Sequence, residues 1–178
     1  MLKNNIERIF MIKFSNTCLL KRTIIISSLF DLLLVNISLS QSIQPKDVVN
    51  IKAYVVKDSA NTGGLLSAEV ILNIKDGWHI NANKPLDDYL TPTEIVLKDS
   101  SDFVIKKIKY PPPQITRLSF SDTELALYEN GITIRLSLKE KDVKKAIPDV
   151  IKFELQYQPC NNQTCLFPVA KSFAIKTN

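Results

Sequence analysis

The chain has 178 residues, of which 45% are hydrophobic and 23% are charged, with only four Gly and nine Pro. This composition excludes a disordered chain, a collagen-like repeat and a polytopic membrane protein, and the length predicts one domain. The formal charge is +5, but residues 1–41 hold five of the 23 basic residues and only two of the 18 acidic ones. The remainder is nearly neutral, so no nucleic-acid partner is expected.

An apolar segment near the N-terminus predicts export. Residues 23–39 read TIIISSLFDLLLVNISL and follow two basic residues. This is the layout of a secretory signal peptide, so we expect a signal at residues 1–40, loss of Cys18 with it, and a periplasmic domain at residues 41–178. A membrane anchor is the less favoured alternative, because a spanning helix needs about 20 predominantly apolar residues and this segment contains an Asp and an Asn.

Alternating hydrophobic residues predict strands along the mature chain. The period of two is clearest in four stretches, which are Val49–Val55, Leu66–Ile74, Ile132–Leu138 and Ile151–Tyr157. Shorter candidates are Glu94–Leu97, Phe103–Tyr110 and Lys171–Lys176. Turn-forming pairs such as Asp76-Gly77 and Asn130-Gly131 lie between them. About seven or eight short strands, with no convincing amphipathic helix, predict an all-β fold of the immunoglobulin-like sandwich type.

The mature chain keeps two cysteines, Cys160 and Cys165, which flank a predicted hairpin tip. In an exported protein such a pair is expected to be oxidised at rest or to cycle. A structural clamp is one interpretation, although closing a loop of about six residues contributes only about 2 kcal/mol. A redox pair is the other, because short exposed loops give more exchangeable disulfides. The spacing leaves both open.

The remaining chemistry-bearing residues favour neither a metal site nor nucleophilic catalysis. A closed zinc site needs four ligands, and two thiols with His79, the sole histidine, fall short. We interpret His79 as a hydrogen-bonded structural residue. A serine-elbow motif is absent from the sequence. No metal or cofactor is therefore predicted.

Several sequence blocks together carry a resemblance to a known family. In chain order they are Gly77–Asn83, Pro92–Ile95, Tyr110–Pro113, Phe120–Asp122 with Leu127-Tyr128, and Tyr157–Cys160 followed by Cys165–Pro168. Over roughly residues 48–175 the chain resembles the N-terminal periplasmic domain of the bacterial thiol:disulfide interchange protein DsbD.

The resemblance implies a thiol-disulfide oxidoreductase that relays electrons through Cys160 and Cys165 to oxidised thioredoxin-fold proteins of the periplasm. It also implies that Cys165 forms the mixed disulfide with a partner and that Cys160 resolves it. Family members protect the pair with a cap loop bearing an aromatic residue, for which Phe120 is the candidate. We expect the electrons to come from a separately encoded, membrane-embedded DsbD-type reductase.

Two aromatic residues, Tyr157 and Phe167, flank the cysteines. Packing at the core or its rim is one interpretation of them, and a surface on which a partner docks is the other. The loop contains no Lys, Arg or His that would stabilise a thiolate, which favours a relay attacked by its partners over an aggressive oxidant. The alternative function is a non-catalytic exported β-sandwich, a binding or scaffold module whose disulfide is structural.

Overall fold

The computed structural model describes residues 43–56, 64–98, 102–144 and 146–177. The predicted signal peptide lies outside these residues. Within them the chain forms one short 3-10 helix at Pro45–Asp47 and eleven strands. The strands are β1 Val49–Val55, β2 Leu65–Ile74, β3 Trp78–Asn81, β4 Glu94–Leu97, β5 Phe103–Lys109, β6 Gln114–Thr116, β7 Leu125–Glu129, β8 Gly131–Glu140, β9 Val150–Tyr157, β10 Pro159–Asn161 and β11 Val169–Lys176. No helix among the described residues is long and apolar enough to span a membrane.

The strands form three antiparallel sheets. Sheet A has the order β1-β2-β8-β5, sheet B has β10-β3-β7-β6, and sheet C has β11-β9-β4. The predicted all-β, immunoglobulin-like sandwich is confirmed. The predicted number of seven or eight strands is too low, because none of the four strands of sheet B was among those the alternation indicated.

Two tight turns position the central strands of sheet B. Gly77 precedes β3 with φ +76°, and Asn130 separates β7 from β8 with φ +58°. Glycine adopts this left-handed region without steric cost, and asparagine tolerates it better than most residues. The turns therefore fix where β3 begins and where β7 ends, and these two strands pair from His79 opposite Glu129 to Asn81 opposite Leu127.

One large hydrophobic core draws its buried side chains from all three sheets. Representative members are Leu72 and Leu136 from sheet A, Tyr128 from sheet B, and Phe153 and Leu155 from sheet C. Full burial of a large apolar side chain contributes about 1.5–3 kcal/mol relative to leaving it exposed. The core accordingly depends on the strands with clear alternation, whose inward residues are the buried ones.

Hydrogen bonds join several of the sequence blocks that carry the family resemblance. The Tyr128 hydroxyl oxygen lies 2.7 Å from Asn83 Oδ1 and 3.2 Å from the Pro111 carbonyl oxygen. The backbone N–H of Ile95 donates to the Tyr110 hydroxyl at 3.3 Å. These residues bind segments of chain to one another, so their part in the domain is structural.

Candidate redox site

The two cysteines form a disulfide across a tight hairpin. Their sulfur atoms are 2.03 Å apart and their Cα atoms 3.9 Å apart. Backbone hydrogen bonds flank the pair, from Asn161 N to the Thr164 carbonyl at 2.9 Å and from Leu166 N to the Pro159 carbonyl at 2.8 Å. Cys160 and Cys165 thus occupy the closely spaced, non-hydrogen-bonded position of an antiparallel ladder, where side chains approach most nearly.

The hairpin tip is shaped by the side chain of Asn161. Its Oδ1 accepts hydrogen bonds from the backbone N–H groups of Gln163 at 2.8 Å and Thr164 at 2.9 Å. This is an Asx turn, in which a side-chain carbonyl replaces a backbone acceptor. The tip residues are exposed, so the disulfide lies directly behind a surface turn.

The base of the hairpin is held by Gln158. Its Nε2 donates to the Leu166 carbonyl on the returning arm at 3.2 Å. Its Oε1 accepts from the Thr91 backbone N–H at 3.3 Å and from Asn81 Nδ2 at 3.2 Å. One amide group therefore ties both arms of the hairpin to β3 and to the segment that precedes β4.

Sheet B separates the main core from a second hydrophobic cluster. Ile80 and Tyr128 point into the main core. The second cluster consists of Leu118, Leu125, Leu127 and Cys160, with Leu90 and Cys165 packed against it. Alternate residues of a strand face opposite sides of a sheet, which is why β7 is buried on both faces.

The two sulfurs differ in their surroundings. Cys160 is fully buried and belongs to β10, which pairs with β3. Cys165 is partly exposed and lies on the returning arm of the hairpin. An incoming thiol or thiolate can therefore approach the disulfide from the Cys165 side.

The segment predicted to cap the pair lies against the hairpin. Leu118 and Ser121 close a turn through the Ser121 N–H and the Leu118 carbonyl at 3.0 Å, and the Ser119 hydroxyl donates to the Asn162 carbonyl at the hairpin tip. Leu118 is only 4% exposed and packs in the second cluster, whereas Phe120 is 44% exposed. The structure thus brings Leu118 into the cluster that contains Cys160, and it leaves Phe120 at the surface of the same turn.

The two flanking aromatic residues have opposite environments. Tyr157 is fully buried in the main core, and its hydroxyl donates to the Pro45 carbonyl at 3.0 Å. Burial, reinforced by the negative charge of Asp47, raises the pKa of Tyr157 to about 12. Its side chain is enclosed in this conformation, and a part for it in docking stays a prediction. Phe167 is 87% exposed two residues after Cys165.

Sequence reasoning missed a second exposed aromatic residue near the cap. Tyr89 is exposed, and its hydroxyl donates to Asp87 Oδ2 at 3.3 Å. The same carboxylate oxygen accepts from the Thr123 hydroxyl, which follows the cap turn, at 3.4 Å. No local sequence pattern connects residues 87–89 with residue 123, so only the fold shows this contact.

His79 lies beside the disulfide, which the sequence did not indicate. It is directly opposite Cys160 in the β10 to β3 pairing and directly opposite Glu129 in the β3 to β7 pairing. Its Nδ1 lies 3.2 Å from Glu129 Oε2, although the geometry is not that of a hydrogen bond. Nδ1 therefore does not make the predicted hydrogen bond and lies instead close to a carboxylate oxygen. Among the described residues, no three His, Cys, Asp or Glu side chains are grouped to hold a metal ion.

Fold and site together define a β-sandwich domain with a disulfide on an edge hairpin. Residues 42–177 match the family described as thiol:disulfide interchange protein DsbD, N-terminal. The chain therefore belongs to the family of DsbD N-terminal domains. Family membership and the Cys160–Cys165 disulfide support a module for thiol-disulfide exchange, and the family implies oxidoreductase activity of that general class.

Among the solved structures similar to this chain are two N-terminal domains of other proteins. The N-terminal periplasmic domain of ScsB from Proteus mirabilis has a TM-score of 0.54 and 17% identity, over 76% of this chain and 49% of that chain. The N-terminal domain of DsbD from Neisseria meningitidis, in the reduced form, has a TM-score of 0.48 and 18% identity, over 76% of this chain and 90% of that chain. No curated protein sequence matches the chain.

Proposed function

We propose that this domain is a periplasmic electron relay that cycles Cys160 and Cys165 between dithiol and disulfide and reduces oxidised thioredoxin-fold proteins. The observation that carries the proposal is the unequal burial of the two cysteine residues, with Cys160 enclosed and Cys165 partly exposed. Exchange proceeds by attack of a thiolate on a disulfide sulfur, so one sulfur must be accessible while the other completes the reaction.

In the reduced domain, the Cys165 thiolate attacks one sulfur of the partner disulfide and releases the other partner sulfur as a thiolate. Cys160 then attacks Cys165 Sγ in the mixed disulfide, which re-forms the Cys160–Cys165 bond and frees the second partner sulfur. Two electrons pass from the domain to the partner. In the reverse direction, a donor thiolate attacks Cys165 and Cys160 leaves as a thiolate; the second thiolate of the donor then attacks the donor sulfur of the mixed disulfide and releases Cys165. A membrane-embedded DsbD-type reductase is the proposed origin of these electrons.

The segment at residues 118–122 is the proposed cap over the pair, with Phe120 as its aromatic residue. Two contacts support this role: Leu118 packs in the cluster with Cys160, and Ser119 binds the hairpin tip. Local opening of a surface segment requires less free energy than global unfolding. The cap would shield the reduced thiols between encounters and move aside when a partner docks.

The proposed docking surface surrounds Cys165. Phe167 is exposed on one side of it, and Phe120 and Tyr89 are exposed on the cap and on the loop bound to the cap. Aromatic residues are enriched at the centres of protein interfaces. Tyr157, which is buried, would support this surface from beneath.

The proposed location is the periplasm, reached by a signal at residues 1–40. The protein recovered from the cell envelope should begin near Gln41. An intact N-terminus in the membrane fraction would instead indicate a tethered domain, without changing the thiol chemistry.

Mixed-disulfide trapping tests the relay and the roles of its cysteines together. Cys160→Ala should accumulate a covalent complex with an oxidised thioredoxin-fold protein, because the resolving thiol is missing, whereas Cys165→Ala should not. Cys18→Ala is the control and should leave trapping unchanged. Equal trapping by both variants of the pair would overturn the assignment of roles, and trapping by neither would overturn the relay.

The alternative function, a binding module with a structural disulfide, is favoured by the burial of Cys160 in the second cluster. Equilibration of the protein with glutathione and dithiothreitol buffers distinguishes the two functions. A relay should show a midpoint potential well above about −300 mV, below which structural disulfides usually lie. A pair that remains oxidised throughout this range would support the alternative.

A further inference from the structure

Three side chains form a row across three neighbouring strands of sheet B. Cys160 on β10 is paired with His79 on β3, and His79 is paired with Glu129 on β7. Directly opposed residues of antiparallel strands project from the same face of a sheet. The adjacent row, Pro159 with Ile80 and Ile80 with Tyr128, projects from the other face toward the main core. The row with Cys160 therefore faces the second cluster and the cap.

His79 is enclosed in this row and oriented within it. Its side chain is 13% exposed, and Nδ1 lies 3.2 Å from Glu129 Oε2. Glu129 thus lies on the Nδ1 side of the ring, and Cys160 lies on the strand that flanks β3 on its other side. Imidazole is the side chain suited to proton exchange near neutral pH. The two groups that face His79 from the flanking strands are Glu129 on β7 and Cys160 on β10.

We propose that His79 exchanges the proton of the Cys160 thiol during thiol-disulfide exchange, and that Glu129 is a positioning residue for the imidazole. This inference rests on the proposed relay and adds to it a proton path for the buried cysteine. It is independent of the family resemblance, since it follows from strand register and from the distance between His79 Nδ1 and Glu129 Oε2.

The proton transfer takes place when Cys160 resolves the mixed disulfide between Cys165 and the partner. Neutral His79 takes the proton of the Cys160 thiol and becomes imidazolium, and the Cys160 thiolate attacks Cys165 Sγ. The Cys160–Cys165 bond forms, the bond between Cys165 and the partner breaks, and the partner sulfur leaves as a thiolate. Imidazolium then returns its proton to that thiolate or to water. In the loading direction, Cys160 leaves as a thiolate and receives the proton from His79. A thiolate beside an imidazolium is stabilised, and this makes a buried cysteine reactive.

The pH profile of Cys160 alkylation tests the role of His79 without any partner. In the Cys165→Ala background, iodoacetamide labelling of the peptide containing Cys160 is followed by mass spectrometry, which excludes signal from Cys18. Adding His79→Gln should move the midpoint of the profile upward by about one pH unit and slow labelling at pH 7 about tenfold, because the imidazolium that stabilises the Cys160 thiolate can no longer form. Adding Glu129→Gln should produce a smaller shift in the same direction.

Trp78→Phe is the matched control, because Trp78 is adjacent to His79 on β3 but packs against the main core. It should leave the profile unchanged. An unchanged midpoint in His79→Gln, or an equal shift in Trp78→Phe, would show that His79 is merely structural. If His79→Gln fails to fold, Glu129→Gln decides the question by the same measurement, because the imidazole is retained.

Trapping separates this inference from the function on which it rests. A shifted profile without any mixed disulfide in Cys160→Ala would overturn the relay, whereas an unshifted profile with normal trapping would overturn only the role of His79.

Discussion

The cap segment offers two neighbouring substitutions with different expected effects. Phe120 is 44% exposed and Leu118 is 4% exposed on the same turn. Burying a whole Phe side chain contributes about 1.5–3 kcal/mol, so Phe120→Ala, which removes roughly half of that burial, should cost the closed cap about 1 kcal/mol. Leu118→Ala removes a buried leucine from a small cluster and should cost about 2–3 kcal/mol, near the lower end for such substitutions.

These free energies convert into rates of thiol modification. If the cap opens and closes quickly compared with alkylation, the rate follows the population of the open form. A loss of about 1 kcal/mol then speeds alkylation of the reduced pair about fivefold in Phe120→Ala, and a loss of about 2 kcal/mol or more speeds it about thirtyfold in Leu118→Ala. Urea unfolding of the oxidised proteins measures how much of each free-energy loss affects the stability of the whole domain rather than the closed cap alone.

Ile115→Ala is the control, because Ile115 is 53% exposed on β6, at the opposite edge of sheet B from β10. It should change neither the alkylation rate nor the unfolding free energy appreciably. An unchanged rate in Phe120→Ala with a faster rate in Leu118→Ala would transfer the cap role to Leu118. Unchanged rates in both would refute gating by this segment, and a loss of stability in Phe120→Ala equal to that in Leu118→Ala would place Phe120 in the core.

Two further predictions concern stability. Gln158→Ala leaves the Thr91 N–H and the Leu166 carbonyl without their side-chain partner, so the free energy of unfolding in urea should fall by about 1–3 kcal/mol. The control Gln156→Ala should change this free energy by less than about 0.5 kcal/mol. Equal losses in the two variants would contradict the role of Gln158. Burial raises the pKa of Tyr157 to about 12, above the ordinary value of about 10. The neutral Tyr157 side chain therefore contributes fully to the free energy of unfolding below pH 10, and this contribution declines as pH rises toward 12. Tyr157→Phe should reduce the fall in the free energy of unfolding between pH 9 and 12. Parallel curves for the wild-type protein and the variant would show that ionisation of Tyr157 does not cause the fall.

The sequence was informative where one face of a strand is buried and the other exposed. Residues 66–74 and 151–157 alternate clearly, and they form the long strands β2 and β9 of sheets A and C. Sheet B was not predicted for two physical reasons. Strand β7 is buried on both faces and so shows no alternation, and β6 and β10 have three residues each, too few for a period to be visible.

The candidate site was only partly predictable for the same reason. The cysteines could be chosen from residue type and spacing, and the disulfide between them is present. The burial of Tyr157 and the position of His79 beside Cys160 depend on strand register between segments far apart in the sequence. The hairpin loop contains no Lys, Arg or His. His79, which is paired with Cys160, lies on the neighbouring strand β3, where a local motif cannot show it.

The attachment of each cysteine to sheet B gives a mechanical reason for their different proposed roles. Cys160 lies within β10, whose three residues pair with β3, and its side chain is enclosed in the second cluster. Cys165 lies on the returning arm, which is held by the disulfide, by hairpin hydrogen bonds at Thr164 and Leu166, by Gln158 and by packing on the second cluster. Because reduction removes the covalent link and Cys165 is not part of a strand of sheet B, we expect its arm to move toward a partner more readily than β10 does. Cys160 is held by the pairing of β10 with β3, so we expect it to stay in place and to meet Cys165 when the disulfide re-forms.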